Sequence, residues 1–192
     1  MMVLLCTGCA GFFTPEERFS AGTSVDAGVV HSFLNGFGQH RATRLSRFFT
    51  DDARVEITGL GIVAQGGDAL ADFFGYGLAV KSRLALVELR IVHDSVFCRL
   101  KEENELTGRL KLEPLIYDAL FILEGRRIKR LLISPEPVSR SLLMAKGIAF
   151  FNWLRRNAPG ALNELMPDGR FRFTPDNGRL LIELISCWQS QN

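Results

Sequence analysis

Tyrosine and tryptophan are scarce in this 192-residue chain, at two each, against fifteen phenylalanines. Aromatics so poor in hydroxyl and indole groups suit a core or an apolar cavity better than a wet binding face. An excess of one charge is also missing, since 23 basic and 21 acidic side chains leave a net +2. A nucleic-acid binder would carry a concentrated basic stripe, so no such partner is expected. The densest basic run, Arg126, Arg127, Lys129 and Arg130, reads as a solvated edge at a strand start. No apolar run reaches the roughly 18 residues of a membrane-spanning helix. There is no His-x-x-x-His and no paired-carboxylate signature, and the one CxxC, Cys6 to Cys9, has no matching partner. Neither a metal nor a cofactor is indicated.

What the chain does have is hydrophobic content, 47% of its residues, which argues against disorder over the whole length. Its length suits one domain with an extension, large enough to bury a core without staples. Three segments are expected: a leader and linker over 1–24, a folded domain over 25–136 and a helical extension over 137–192. The leader MMVLLCTGC resembles the lipid-attachment box of bacterial lipoproteins, with Cys9 as the lipidated residue. That resemblance implies export and a membrane anchor. The other reading is an uninformative tail on a cytoplasmic protein. Of the remaining cysteines, Cys98 alternates with Val96 and Leu100 as a small core residue, and nothing in the spacing demands a bond to Cys187.

Hydrophobic spacing sets out the domain. Thr23 and Asp26 have capping-box spacing before a helix carrying Val30, Phe33, Leu34 and Phe37 on one side. A second short helix is expected around Ala42 to Phe48. Asp51 and Asp52 would turn into a strand over Arg54 to Thr58, with Ile62 to Ala64 pairing back. Gly66, Gly67 and Asp68 open a helix with Leu70, Phe73, Phe74 and Leu78 on one face. From Leu84 the period becomes two, predicting strands near 84–91, 96–101, 106–113, 115–123 and 128–133. Between the second and third of these, Glu102 to Glu105 reads as a hairpin turn.

The stretch FFTDDARVEITG, Phe48 to Gly59, and the hairpin YDALFILEGRRIKRLLI, Tyr117 to Ile133, complete a pattern. In that order they resemble the nuclear transport factor 2-like or SnoaL-like superfamily, over Val25 to Ser134. The resemblance implies an α+β cone in which a curved, mostly antiparallel sheet of cystatin-like form wraps N-terminal helices around an apolar pocket. It does not imply one activity, since members include isomerases, cyclases, dehydratases, epoxide hydrolases and non-catalytic adaptors. Steroid isomerase-like members place a general base directly after the Val-Glu of the first strand. Here Ile57 follows Val55 and Glu56, so that chemistry is not expected.

Three residues are candidates for catalysis. Asp118 alternates with Ile116, Leu120 and Ile122, and a carboxylate among such neighbours would be desolvated and suited to proton transfer. On its other reading Asp118 lies on the outer face, paired with Arg99. Tyr117 points away from Asp118 and would donate inside the cavity only if Asp118 does not. His93 ends an apolar row and would sit at a pocket mouth or in a turn. The expected ligand-binding set is Phe33, Phe37, Phe73, Phe74 and Arg99.

The extension carries a wide apolar stripe from Val138 to Arg156, a PDGRFRFTPDNG loop or hairpin and a last amphipathic helix over Leu180 to Trp188. It would cover the sheet or a pocket mouth, or else present a surface to a partner or lipid. The reading that follows is a cavity domain binding a small hydrophobic molecule or a partner protein. Two alternatives stand beside it: a cofactor-independent isomerase or cyclase using Asp118, and a homodimerisation module pairing through its sheet.

Overall fold

The computed structural model describes residues 27–38 and 45–191. The expectations for Cys9, the 1–24 leader and the Thr23–Asp26 cap lie outside the described residues. Helix α1, Gly28–Gly38, leads to a single 3-10 turn, Ser46–Phe48, and then strand β1, Phe49–Ile57. Strand β2, Gly61–Gln65, folds back on β1, and α2, Gly67–Ala79, crosses behind them. Strands β3, Arg83–Val92, and β4, Ser95–Glu103, form a hairpin whose turn is His93-Asp94. Helix α3, Glu105–Arg109, precedes the hairpin of β5, Leu115–Glu124, and β6, Arg127–Pro135. The extension is helical: α4, Pro137–Asn157; α5, Pro159–Leu165; and α6, Pro175–Ser190.

The six strands make one sheet in the order β2-β1-β6-β5-β4-β3. Every neighbouring pair is antiparallel except β1 with β6. Irregular register within β1–β2, β1–β6, β3–β4 and β5–β6 marks bulges, which strengthen twist and bend a sheet. This is the curved α+β layer expected from the sequence.

Three local expectations are corrected. Asp51 and Asp52 lie within β1 rather than in a turn before it. The predicted strand over 106–113 is instead α3 followed by a short irregular segment. Asn104 caps α3 by accepting from the Thr107 N–H at 2.8 Å, while the Thr107 hydroxyl accepts from the Asn104 N–H at 3.2 Å. That reciprocal cap outweighs the short period-two pattern, and Leu106 and Leu110 then share a helix face. Finally, the β3–β4 register shifts between Leu86 and Glu88, so the row running from Ala85 to His93 is not continuous.

Two apolar cores result. The first lies under the sheet and joins α1 and α2 to the inward residues Val55, Val96, Cys98, Ala119, Phe121 and Leu131. At its centre the Phe33 ring meets those of Phe37, Phe48, Phe49, Phe74 and Phe121 at centroid distances of 5.4 to 6.4 Å. The second core joins Phe150, Trp153, Leu154, Leu165, Leu181 and Ile185 of the extension, with Tyr76 and Leu106 packed against it. Phe33→Ala is expected to destabilise the chain by about 3–5 kcal/mol, because those partners cannot collapse into the vacated volume. Urea unfolding would read this directly, and a loss below about 1 kcal/mol would contradict the central role given to this ring.

Candidate functional site

The concave face of the sheet, α1, α2 and the extension enclose a cavity of about 1210 Å³. Alternation on the strands decides what faces it. Leu100 on β4 pairs with Tyr117 on β5, and Cys98 pairs with Ala119, so these positions turn inward together. The helices contribute Phe33, Phe37, Phe73 and Phe74 to the wall. The far side is built by the extension, through Phe150 and Phe151 of α4 and the segment carrying Phe171 and Phe173. Phe173 stacks edgewise on Tyr76 at 5.2 Å, and Phe171 does so at 5.7 Å.

Besides the charged residues Lys146, Asp168, Arg170 and Arg172 contributed by the extension, one group on the sheet side of the wall is polar. Glu102 continues the inward row Val96, Cys98, Leu100 at the end of β4. Its Oε1 accepts from the Ser82 hydroxyl at 2.5 Å and from the Asn104 side-chain amide at 3.0 Å. Ser82 is buried where α2 hands over to β3, and Asn104 is the α3 cap, so both donors are fixed by backbone geometry. Tyr117 and Tyr76 complete the group. Burial first, then the charge of Glu102 and a hydrogen bond to it, hold the Tyr117 hydroxyl well above its ordinary value of 10.0. The Tyr76 hydroxyl is likewise raised, chiefly by burial and secondly by the Glu102 charge. These are the only two tyrosines in the chain, and both serve this cluster.

The sequence-predicted residues divide between two sides of the sheet. Phe33, Phe37, Phe73, Phe74 and Tyr117 line the cavity. Asp118 does not, because the pairing that turns Tyr117 inward turns its neighbour outward. On the outer face Asp118 sits opposite Arg99, with Arg99 Nη1 at 3.6 Å from its Oδ1. Arg99 itself binds Glu136 at 2.5 Å and has no place in the cavity wall. His93 occupies the exposed β3–β4 turn with φ 57, so it is a turn residue rather than a group at the pocket mouth. Phe97, Leu120 and Leu132 form a cross-strand row on the outer face, beside the Arg99 ion pairs and the Arg130–Glu56 pair at 2.6 Å.

Sequence reasoning missed Glu102, Ser82, Asn104 and Tyr76. The signal for Glu102 was present, since it lies in phase with Val96, Cys98 and Leu100. Ending the strand at Lys101 hid it. Tyr76 was passed over because Gly75 and Gly77 flank it in a helix read only for its phenylalanines.

No family model and no curated protein matches the chain. Solved structures share its fold at low identity. A Catenulispora acidiphila protein with a ketosteroid isomerase-like fold, in complex with trimethylamine, is 13% identical with a TM-score of 0.53. That match covers 62% of this chain and 92% of the other. SalBIII, an epoxide hydrolase/cyclase-like enzyme of pyran ring formation in salinomycin, is 15% identical with a TM-score of 0.52, covering 58% and 91%. A Kribbella flavida protein is 10% identical with a TM-score of 0.52, covering 65% and 98%. The chain therefore has the nuclear transport factor 2-like fold.

The tyrosine environment makes a test of the site's geometry. Both hydroxyls stay protonated in the folded chain where the unfolded chain would release them. Their contribution to stability is therefore complete below about pH 10 and is lost as pH climbs toward the raised folded values. The Cys98 thiol, pushed up by burial to about 11 from 9.0, adds a similar loss between those values. An absorbance titration of the folded protein should show no phenolate at pH 10, while denatured protein shows both tyrosines half-ionised near that point. A folded-state phenolate signal at pH 10 would contradict the burial of this cluster.

Proposed function

We propose that the chain binds a small hydrophobic molecule inside the cone, oriented by the cluster of Glu102, Asn104, Tyr76 and Tyr117. The observation that carries this reading is a hollow walled by phenylalanines with polar groups converging in one region. Ligand pockets are mostly apolar with a few fixed polar groups, which is the pattern met here. Aromatic walls supply area with little side-chain entropy to lose, so a flat or polycyclic molecule would gain most from them.

A second reading follows from the contact between Glu102 and Tyr117. A carboxylate beside a phenol is the pair a cofactor-independent isomerase or cyclase needs, one to take a proton and one to donate to the developing oxyanion. On that reading the base is Glu102. Asp118 has no route to the cavity through the sheet. Binding that survives Glu102→Gln while turnover of an enolisable ketone vanishes would favour it over simple binding.

Solvent extraction of the purified protein followed by mass spectrometry should yield a hydrophobic compound, and the stripped protein should bind the neutral dye Nile red saturably. Leu84→Trp, which adds an indole to the wall, should weaken dye binding at least about tenfold, or about 1.4 kcal/mol. An empty extract together with unsaturable dye binding would end this reading. Membrane attachment through Cys9 is a separate proposal. It predicts partition into a detergent phase that Cys9→Ser abolishes, and equal partition of the two proteins would refute it.

A further inference from the structure

Glu102 differs from the other carboxylates tied down on the sheet. Glu56 holds Arg54 and Arg130, Asp118 faces Arg99, and Asp52 holds Lys129 at 2.5 Å. Among the described residues Glu102 enters no ion pair. Its hydrogen-bond donors, Ser82, Asn104 and Tyr117, are all neutral. The basic residues of the cavity wall, Lys146, Arg170 and Arg172, belong to the extension, and Arg172 is held by Asp168 at 2.8 Å. A carboxylate that faces the cavity with neutral donors alone is left without an ion-pair partner from the described residues. Beside a half-buried carboxylate, charge is screened less than it is in open water. Two aromatic hydroxyls already feel it, since its charge helps hold both tyrosines protonated.

We infer that the cavity selects hydrophobic amines, with the ammonium group seated against Glu102 and the hydrocarbon among the phenylalanines. The reading rests on the cavity holding a small molecule at all. An ammonium group would complete the ion pair that the chain leaves open, and its N–H groups would find the Glu102 oxygens as charge-assisted acceptors. Tyr76 and Tyr117 add ring faces, which attract a cation electrostatically. A hydrophobic carboxylate would meet like charge at the same place, so the site discriminates by repulsion as well as attraction.

Glu102 also has a structural role, because it ties the α2–β3 junction to the α3 cap. Glu102→Gln retains one acceptor oxygen for Ser82 and Asn104, removes the charge and turns the second oxygen into an amide donor. The test is isothermal calorimetry on the full chain near neutral pH with three cage compounds of one size: aminoadamantane, hydroxyadamantane and adamantane carboxylate. The amine should bind at least about tenfold tighter than the alcohol, a difference of about 1.4 kcal/mol, with the carboxylate weakest. In Glu102→Gln the amine-to-alcohol ratio should fall below about threefold. Equal binding of amine and alcohol to the wild-type protein overturns the inference and leaves the cavity reading intact. An amine preference that persists in a folded Glu102→Gln variant also overturns it. No binding of any of the three refutes both. Should the variant lose its fold by circular dichroism, the wild-type comparison of the three compounds still decides the matter.

Discussion

The cavity wall built by the extension depends on how near α6 comes to α2. A Cβ built at Gly75 would stand 2.7 Å from the Pro175 ring, closer than two carbons can approach. One built at Gly178 would stand 3.0 Å from Ala79 and 3.3 Å from Tyr76. Glycine on both helices therefore lets them meet backbone to side chain, which no larger residue at either place permits without displacement. Further along α6, Arg109 of α3 donates to Ser186 at 2.5 Å and Gln189 donates to the Arg109 carbonyl, so α6 is also tied to α3. Because α2 also carries Phe73, Phe74 and Tyr76, the extension is fastened to the same helix that supplies the inner wall. Loosening that crossing would open one side of the hollow without touching the sheet.

Strand register is the second constraint, and it assigns charge to two sides of one layer. With β4 and β5 paired as Arg99 to Asp118 and Leu100 to Tyr117, ionic groups meet their partners outside and hydroxyls turn inward. A slip of one residue would exchange the two sets, driving Asp118 into the aromatic core and Tyr117 into solvent. Exposed pairs such as Arg99 with Asp118 and Glu136 add little to stability, on the order of 1 kcal/mol or less. The apolar inward row, Cys98, Ala119 and Phe121, is what locks the register, since each of these is buried to 1% or below. The outer ion pairs follow from that register rather than set it.

The large elements were legible because their patterns were long. Thirteen residues of α2 carry an apolar face, and β5 with β6 span nineteen strand positions interrupted by the Gly125 turn and a register shift at Ile122–Leu123. Legibility failed where a short pattern competed with a cap. Leu106, Gly108, Leu110 and Leu112 alternate as a strand does, yet Asn104 and Thr107 close a helical turn over them. The same miscast turn concealed Glu102, so one local error removed the main polar group from the expected site. Tyr117 was found, and so was its exclusive relation with Asp118, because alternation is exact for neighbours on a strand. The direction of that choice was not legible, since Ile116, Leu120 and Ile122 are as apolar as Ala119, Phe121 and Leu123. Only the packing of α1 and α2 against one face decides which row is interior.

The extension gives this cone a wall of its own. The neighbouring structures are matched over 91 to 98% of their length by about three fifths of this chain, so they share the cone and not the whole molecule. Here Phe171 and Phe173 reach Tyr76, and Phe150 and Phe151 stand across the cavity from the sheet. Tyr76 belongs to both cores: it stands on α2 and packs against the extension's cluster. A side chain shared in this way couples the position of the extension to the polar group it borders, because moving Phe171 and Phe173 would admit water to the Tyr76 hydroxyl. Water there would weaken the field of Glu102 across the hollow and shorten its reach. The polar cluster and the far wall of the cavity thus depend on one another in the packed state, through Tyr76 at the junction.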